Sequence, residues 1–260
     1  MKNDRVALVI GASQGIGKSI AIALAENGYH LILIARRKEK LEQVLETVNE
    51  INNSKLNMCI PVDISNQDNR NHVFRTVVKK YDRLDILINN VPGGSPDEFL
   101  NSQNDKMIET FTQKAITYID CMKQSYEWME KNNYGRIINL VGNLWKEPGK
   151  NMFTNSLINA AIINASKNIS IQLAPKGITV NCVNPGFIKT DRYHHYIHRL
   201  MTDGNMGVEE AERIVTEQIP SKRVGTSEEV ASLVMHLVSE SGSYITGQQI
   251  SVDGGALKSI

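Results

Sequence analysis

The residues whose types and spacing could do chemistry begin with three glycines. Gly11, Gly15 and Gly17 form a G-x-x-x-G-x-G run over Gly11-Ala12-Ser13-Gln14-Gly15-Ile16-Gly17. An apolar run, Val6–Ile10, precedes it, and a helical pattern with Ile16, Ile20, Ala23 and Leu24 on one face comes after it. A strand, a glycine turn and a helix in that order make a cradle for nucleotide phosphates. Gly11 permits the tight turn, Gly15 lets a pyrophosphate approach the backbone, and Gly17 lets the helix close on the strand. The helix N-terminus then presents free N–H groups to the anion. Ser13, Gln14 and Ile16 belong to the same turn and count as candidate binding residues with the glycines.

Two further clusters fall where such a ligand would extend. The second apolar run ends in Ala35-Arg36-Arg37, where an acid commonly holds the ribose hydroxyls of NAD. Two guanidiniums suit a 2′-phosphate instead, through paired, charge-assisted hydrogen bonds; they also fit a solvated start to the next helix. NADPH is therefore the expected cofactor, with NADH possible. Asp63, beside Ile64, comes just after the third apolar run. It is placed to accept from an adenine amino group, and it equally fits a helix N-cap before Gln67.

Positioning these residues requires strands and helices in alternation. Residues 30–35, 56–62, 84–89, 136–141, 178–183 and 249–252 read as strands. Residues 38–53, 67–81, 105–132, 153–173 and 228–238 read as helices, with apolar spacing such as Leu41, Val44, Leu45 and Val48. The strands are apolar throughout. The expected fold is α/β, a single-domain Rossmann-type doubly wound parallel sheet of about seven strands with helices on both faces. The 260 residues form one domain in this reading, 1–260, with a polar helical insertion over about 190–219 that would cover a substrate.

Composition narrows the function. Hydrophobic residues at 41% and charged residues at 22% fit a globular chain, and a net charge of +1 makes no case for nucleic acid or an acidic membrane as partner. No apolar run reaches membrane-spanning length, and Met1-Lys2-Asn3-Asp4-Arg5 leads into the first strand without a signal peptide. Cys59, Cys121 and Cys182 are odd in number and widely spaced, as expected of reduced, packed thiols in a cytoplasm, with no metal site.

On its motifs the chain resembles the short-chain dehydrogenase/reductase family over essentially its whole length. The resemblance rests on the glycine turn, Asp63, Asn89-Asn90, Gly135-Arg136-Ile137-Ile138, Asn184-Pro185-Gly186, Ile245-Thr246-Gly247-Gln248 and Asp253-Gly254-Gly255. Ile10 replaces the threonine usual before the first glycine. The resemblance implies that Asn90 lies near the cofactor ribose and that Gly186, Ile188 and Thr190 lie by the nicotinamide. It also implies a homodimer or homotetramer.

The departure is in the chemistry. Members of the family normally reduce carbonyls with Asn, Ser, Tyr and Lys. Counted without gaps from Gly177-Ile178-Thr179-Val180-Asn181, the Tyr and Lys positions fall on Asn155 and Asn159. Counted from Gly135, the Ser position falls on Gly142, with Asn143 beside it, and the helix Asn position falls on Lys114. Asn155 and Asn159 sit one helical turn apart; amides donate hydrogen bonds but are no general acids at neutral pH. The candidate catalytic residues are Lys114, Asn143, Asn155, Asn159 and His194.

Three readings fit. One is conjugate addition of hydride to an enone, whose enolate oxygen is held by amides and a cation such as Lys114; that lysine also fits a solvated helix position. Another is a sensor or scaffold that binds NADPH without turnover. The third is a carbonyl reductase whose acid has moved to Lys114 or to Tyr193, His194 and His195. Within the family, Phe111-Thr112-Gln113-Lys114, residues 141–149 and 151–156, Thr190-Asp191-Arg192-Tyr193-His194 and Lys258-Ser259-Ile260 resemble one branch. That branch reduces dihydro-hydroxyphenylpyruvate to the tetrahydro product in bacilysin-type antibiotic synthesis. The resemblance implies a small carboxylate-bearing substrate, held by Lys114, Arg192 or His194.

Overall fold

The computed structural model describes residues 4–259, so residues 1–3 of the leading segment and Ile260 of the C-terminal match lie outside the described residues. Seven strands form one parallel sheet in the order β3-β2-β1-β4-β5-β6-β7. They are β1 (Val6–Ile10), β2 (His30–Ala35), β3 (Met58–Pro61), β4 (Ile86–Asn89), β5 (Gly135–Leu140), β6 (Ile178–Pro185) and β7 (Gln249–Val252). Every residue of β1, β4 and β5 is buried, which is why their sequences run apolar without alternation. The strand order reverses between β1 and β4, and an open α/β sheet leaves a crevice at such a point.

Helices cover both faces. On one side α1 (Gly15–Glu26), α2 (Lys38–Asn52) and α9 (Ser227–Val238) bury Ile20, Leu24, Leu41, Val44, Val230 and Val234 against Val9, Leu33 and Ile88. On the other, α3 (Gln67–Tyr81), α5 (Thr117–Lys131) and α6 (Phe153–Leu173) bury Val73, Val77, Cys121, Met129 and Ile158, in two adjoining clusters that also take Leu8, Ile32 and Val141. The chain is thus one α/β domain of the Rossmann type. No helix among the described residues is long and apolar enough to cross a membrane.

Two expectations need correction. The third strand covers only Met58–Pro61, because as the edge strand it pairs on one side alone, with Ile32–Ala35. Residues 105–132 are not one helix. The chain runs from α4 (Asn104–Phe111) through a π-turn, Thr112–Ile116, into α5. The turn holds one residue more than a helical turn and offsets the face of α5 by about 100°. Lys114 and Ala115 thereby face inward, continuous with Thr117, Tyr118 and Cys121. The insertion forms α7 (Asp191–Gly204) and α8 (Val208–Glu217). They pack on each other around Tyr193, Ile197, Ala211 and Val215, a cluster separate from the sheet's cores.

The glycine turn is close-packed. Gly11 has φ +74° and donates its N–H to the Ile34 carbonyl at 2.8 Å. A Cβ on Gly17 would stand 2.1 Å from the Gly11 carbonyl oxygen and 2.8 Å from Asn90 Nδ2. Gly17→Ala should therefore destabilise the fold by about 2–3 kcal/mol, an overpacking cost, and weaken nucleotide binding with it. Urea unfolding measures the first effect; an unchanged midpoint would show that α1 can back away from β1 freely.

Candidate active site

A cleft of about 630 Å³ opens at the C-terminal ends of β1 to β4, where the strand order reverses. Gly11, Ser13, Gln14, Gly15 and Ile16 form its floor. Helix α1 starts there with no side-chain cap and no acid in its first turn, so its N–H groups and positive end remain available to an anion. Arg37 donates through Nη2 to Ser13 Oγ at 3.3 Å and to Gln14 Oε1, which sets one guanidinium over the turn. Arg36 lines the cleft beside it. Asn90 also lines the cleft and donates through Nδ2 to the Gly11 carbonyl at 3.3 Å, tying the end of β4 to the turn.

The far wall is made by Asp63, Ile64 and Ser65. Asp63 is not the N-cap of α3; Asn66 is, accepting from the Asn69 N–H at 3.0 Å. Asp63 Oδ1 instead accepts from the N–H and hydroxyl of Ser65, at 3.0 and 2.7 Å. Thr190 lines the cleft packed against Gly15: its Cγ2 lies 3.1 Å from where a Gly15 Cβ would stand. Gly17, Gly186 and Ile188 are held in the framework around the cleft. Gly17 lies buried beneath the turn, Gly186 donates to the Val252 carbonyl at 3.0 Å, and Ile188 is packed in the core and bridged to Gly225. These cradle features fit a dinucleotide carrying a phosphate at its adenosine end, since the floor offers N–H donors and the rim two guanidiniums.

At the inner end lies a polar trio. Lys114, on the π-turn, is 6% exposed and donates from Nζ to Asn159 Oδ1 at 3.1 Å. Asn159 Nδ2 donates to the Gly142 carbonyl at 3.1 Å. Asn155, one turn earlier on α6, donates to the carbonyls of Gly94 and Ser95 at 3.1 and 3.3 Å. Gly93 separates the trio from the cleft: a Cβ there would stand 2.4 Å from Asn155 Oδ1 and 4.0 Å from Lys114 Nζ. No carboxylate pairs with Lys114 among the described residues. Burial, and then the charge of Arg192, lowers its pKa to about 8.

Lys114, Asn155 and Asn159 are thus brought near one another, while Asn143 and His194 are not. Asn143 donates to Asp253 Oδ2 at 3.1 Å and accepts from Ser251 Oγ at 3.2 Å, so its amide is occupied by the C-terminal segment. His194 is exposed, edge-on to Tyr193 at 5.7 Å. Arg192 lines the cleft instead, and two residues of helix turn His194 about 200° away from it. Sequence reasoning missed Tyr118, one turn after Lys114. Its buried hydroxyl accepts the Val91 N–H at 2.9 Å and donates to the Leu140 carbonyl at 3.1 Å, holding the cleft loop to β5. Its spacing of four from Lys114 was the available signal.

The family model described as enoyl-(acyl carrier protein) reductase matches residues 11–256. The chain belongs to the short-chain dehydrogenase/reductase family. This member of the family is 52% identical over 258 residues to the NADPH-dependent reductase BacG of Bacillus subtilis (strain 168), a match covering 99% of this chain and 100% of BacG. It is 35% identical to the 3-oxoacyl-[acyl-carrier-protein] reductase FabG of Staphylococcus aureus, covering 98% of this chain and 99% of FabG. Among solved structures it is similar to YwfH, described as an NADPH-dependent reductase involved in bacilysin biosynthesis. The TM-score there is 0.95 at 52% identity, over 99% of this chain and 100% of YwfH. It is also similar to L-sorbose reductase from Gluconobacter frateurii, complexed with NADPH and L-sorbose, with TM-score 0.94 at 26% identity over 100% of both chains.

Burial of Lys114 makes stability depend on pH. Between pH 8 and the ordinary lysine value of 10.5 the unfolded chain keeps the proton that the folded chain has released, so the fold gains stability as pH rises through that window. Relative to Lys114→Met, the wild-type chain should gain up to about 3 kcal/mol from pH 7 to pH 10.5. Urea titrations of both chains test this. A stability difference that stays constant with pH would place the ammonium in water.

Proposed function

We propose that the chain is an NADPH-dependent reductase that adds hydride to the conjugated double bond of an enone pyruvate. Dihydro-hydroxyphenylpyruvate is the proposed substrate, giving the tetrahydro product in bacilysin-type antibiotic synthesis. The observation that carries the reading is Lys114, a buried cation bonded to the Asn159 amide and set just behind Gly93 of the nucleotide cleft. The 52% identity to BacG and the likeness to YwfH support it. So does counting from the motif glycines, which puts Lys114, Gly142, Asn155 and Asn159 where the family carries Asn, Ser, Tyr and Lys.

The glycine turn would hold the pyrophosphate of NADPH and Arg36 and Arg37 its 2′-phosphate, and the cofactor, when bound, would supply the hydride. The chain's own task is to hold the oxygen that becomes negative. When hydride adds to the far end of a conjugated double bond, charge passes to the ketone oxygen as an enolate. An enolate spreads its charge and can wait for a proton, whereas an alkoxide needs one as it forms. Lys114 Nζ has N–H bonds beyond the one given to Asn159, and a pKa near 8 keeps it charged at neutral pH yet able to release a proton late. Asn159 fixes the ammonium's direction. Arg192, in the cleft, pairs with the substrate carboxylate. Gly93 and Gly94 carry no side chain, which lets their segment yield to the substrate, and α7–α8 act as its lid.

The same proposal extends to the setting. A cytoplasmic location fits the three free cysteines. Homodimers or homotetramers fit the exposed Phe99, Leu100, Ile108 and Leu157 around α4 and α6. The partner is a small molecule, with neither nucleic acid nor membrane.

Two outcomes check the reading. NADPH should bind about ten- to a hundredfold more tightly than NADH, the worth of one phosphate–arginine contact, and Arg37→Ala should erase most of the difference. Calorimetry measures both, and equal affinities would remove the arginines from the site. Lys114→Ala should slow reduction of the enone pyruvate about a hundred- to a thousandfold with NADPH affinity nearly unchanged. Steady-state kinetics decides this, with saturated ketones as controls that should not turn over. NADPH binding without oxidation by any enone would favour a binding protein, and fast reduction of saturated ketones a relocated acid.

A further inference from the structure

We propose that Arg70 is a positioning residue that joins the nucleotide-side wall of the cleft to the π-turn carrying Lys114. The proposal rests on the reading of Lys114 as the group that holds the substrate oxygen. Arg70 points inward from α3 and is 4% exposed. Its Nη1 donates to the carbonyls of Ile64 at 3.1 Å and Ser65 at 2.7 Å, two residues of the cleft wall. The same nitrogen reaches Thr117 Oγ1 at 3.5 Å. Nε pairs with Asp120 Oδ2 at 2.7 Å, and Gln124 Nε2 steadies that carboxylate at 3.0 Å.

Thr117 is the residue that closes the π-turn. Its N–H and its hydroxyl both donate to the Thr112 carbonyl, the hydroxyl at 3.3 Å. The wide form of the turn is what aims Lys114 at Asn159, since an ordinary helical turn would carry the lysine about 100° round the axis. Arg70 thus holds Thr117 and Asp120 on one side and Ile64 and Ser65 on the other within a single rigid plane. A lysine has the charge but not the fork, and cannot make these contacts together. Filling the nucleotide side and aiming Lys114 are linked through this one guanidinium.

The test uses two variants of the full chain. Thr117→Val removes a hydroxyl and keeps the shape. Arg70→Lys keeps the charge beside Asp120 and loses the span. Each should lower kcat for the enone pyruvate about tenfold while KM for NADPH stays within about twofold, the effect of one misplaced hydrogen bond. Hydrogen–deuterium exchange gives a readout independent of turnover. In the wild-type chain NADPH should protect residues 62–66 and also 110–118. In Arg70→Lys the first protection should persist and the second should vanish. If Arg70→Lys does not fold, Thr117→Val carries the test alone, with protection of 110–118 weakened. Variants that merely melt earlier, with kcat and linked protection intact, would overturn the proposal and leave Arg70 a buried structural pair. Lys114→Ala separates the two levels. Near-normal turnover there refutes the role of Lys114, while a crippled Lys114→Ala beside an unaffected Thr117→Val refutes the link alone.

Discussion

A lysine ammonium held away from water, with an amide oxygen as its acceptor and no carboxylate among the described residues, is costly to fold. The inner end of the cleft is arranged around that cost. Asn159 accepts from Lys114 only because its own amide nitrogen is held by the Gly142 carbonyl, which fixes which way the amide faces. Lys114 reaches Asn159 only because the helix widens at Thr112–Ile116. The same burial lowers the lysine pKa, so the feature that weakens the fold is the one that gives the site a proton to release near neutral pH. A carboxylate beside the lysine would have relieved the strain on folding and raised the pKa again.

The nucleotide side obeys a different constraint, close approach of backbone. The parallel sheet reverses its order beside β1, and the Gly11 turn, the uncapped start of α1 and Asn90 meet at that reversal. Donors there are backbone N–H groups fixed by the sheet, so the cradle needs little reorganisation when an anion arrives. Charge is added at the rim by Arg36, Arg37 and Arg192, the last of which acts on Lys114. The cleft thus grades from backbone donors to guanidiniums, with the buried amine of Lys114 behind Gly93 at its inner end.

The sheet and the cradle were legible in the sequence because their causes are local. Strands buried on both faces leave continuous apolar runs such as Val6–Ile10, and Gly11 and Gly17 mark places where a Cβ would strike backbone. The trio Lys114, Asn155 and Asn159 was legible by counting from motif glycines, and Lys114 Nζ lies 3.1 Å from Asn159 Oδ1. The π-turn was not, because a widening of one residue leaves the overall apolar spacing of residues 105–132 helical. Asn143 and His194 lie apart from the trio for a related reason: nearness in sequence to Gly142 or Arg192 does not fix the direction of a side chain. Arg70 could have been noticed, since it shares the inward spacing of Val73, Phe74 and Val77, where a charge demands a buried partner.

Hydride delivered to carbon of a double bond, with Lys114 on the oxygen, leaves its mark on the product. The most direct measurement is turnover of dihydro-hydroxyphenylpyruvate with NADPH carrying deuterium at the transferred position, and then NMR of the product. Deuterium on the carbon that terminated the conjugated double bond, with the ketone intact, is the predicted result. Deuterium on the former carbonyl carbon, now bearing a hydroxyl, would contradict it.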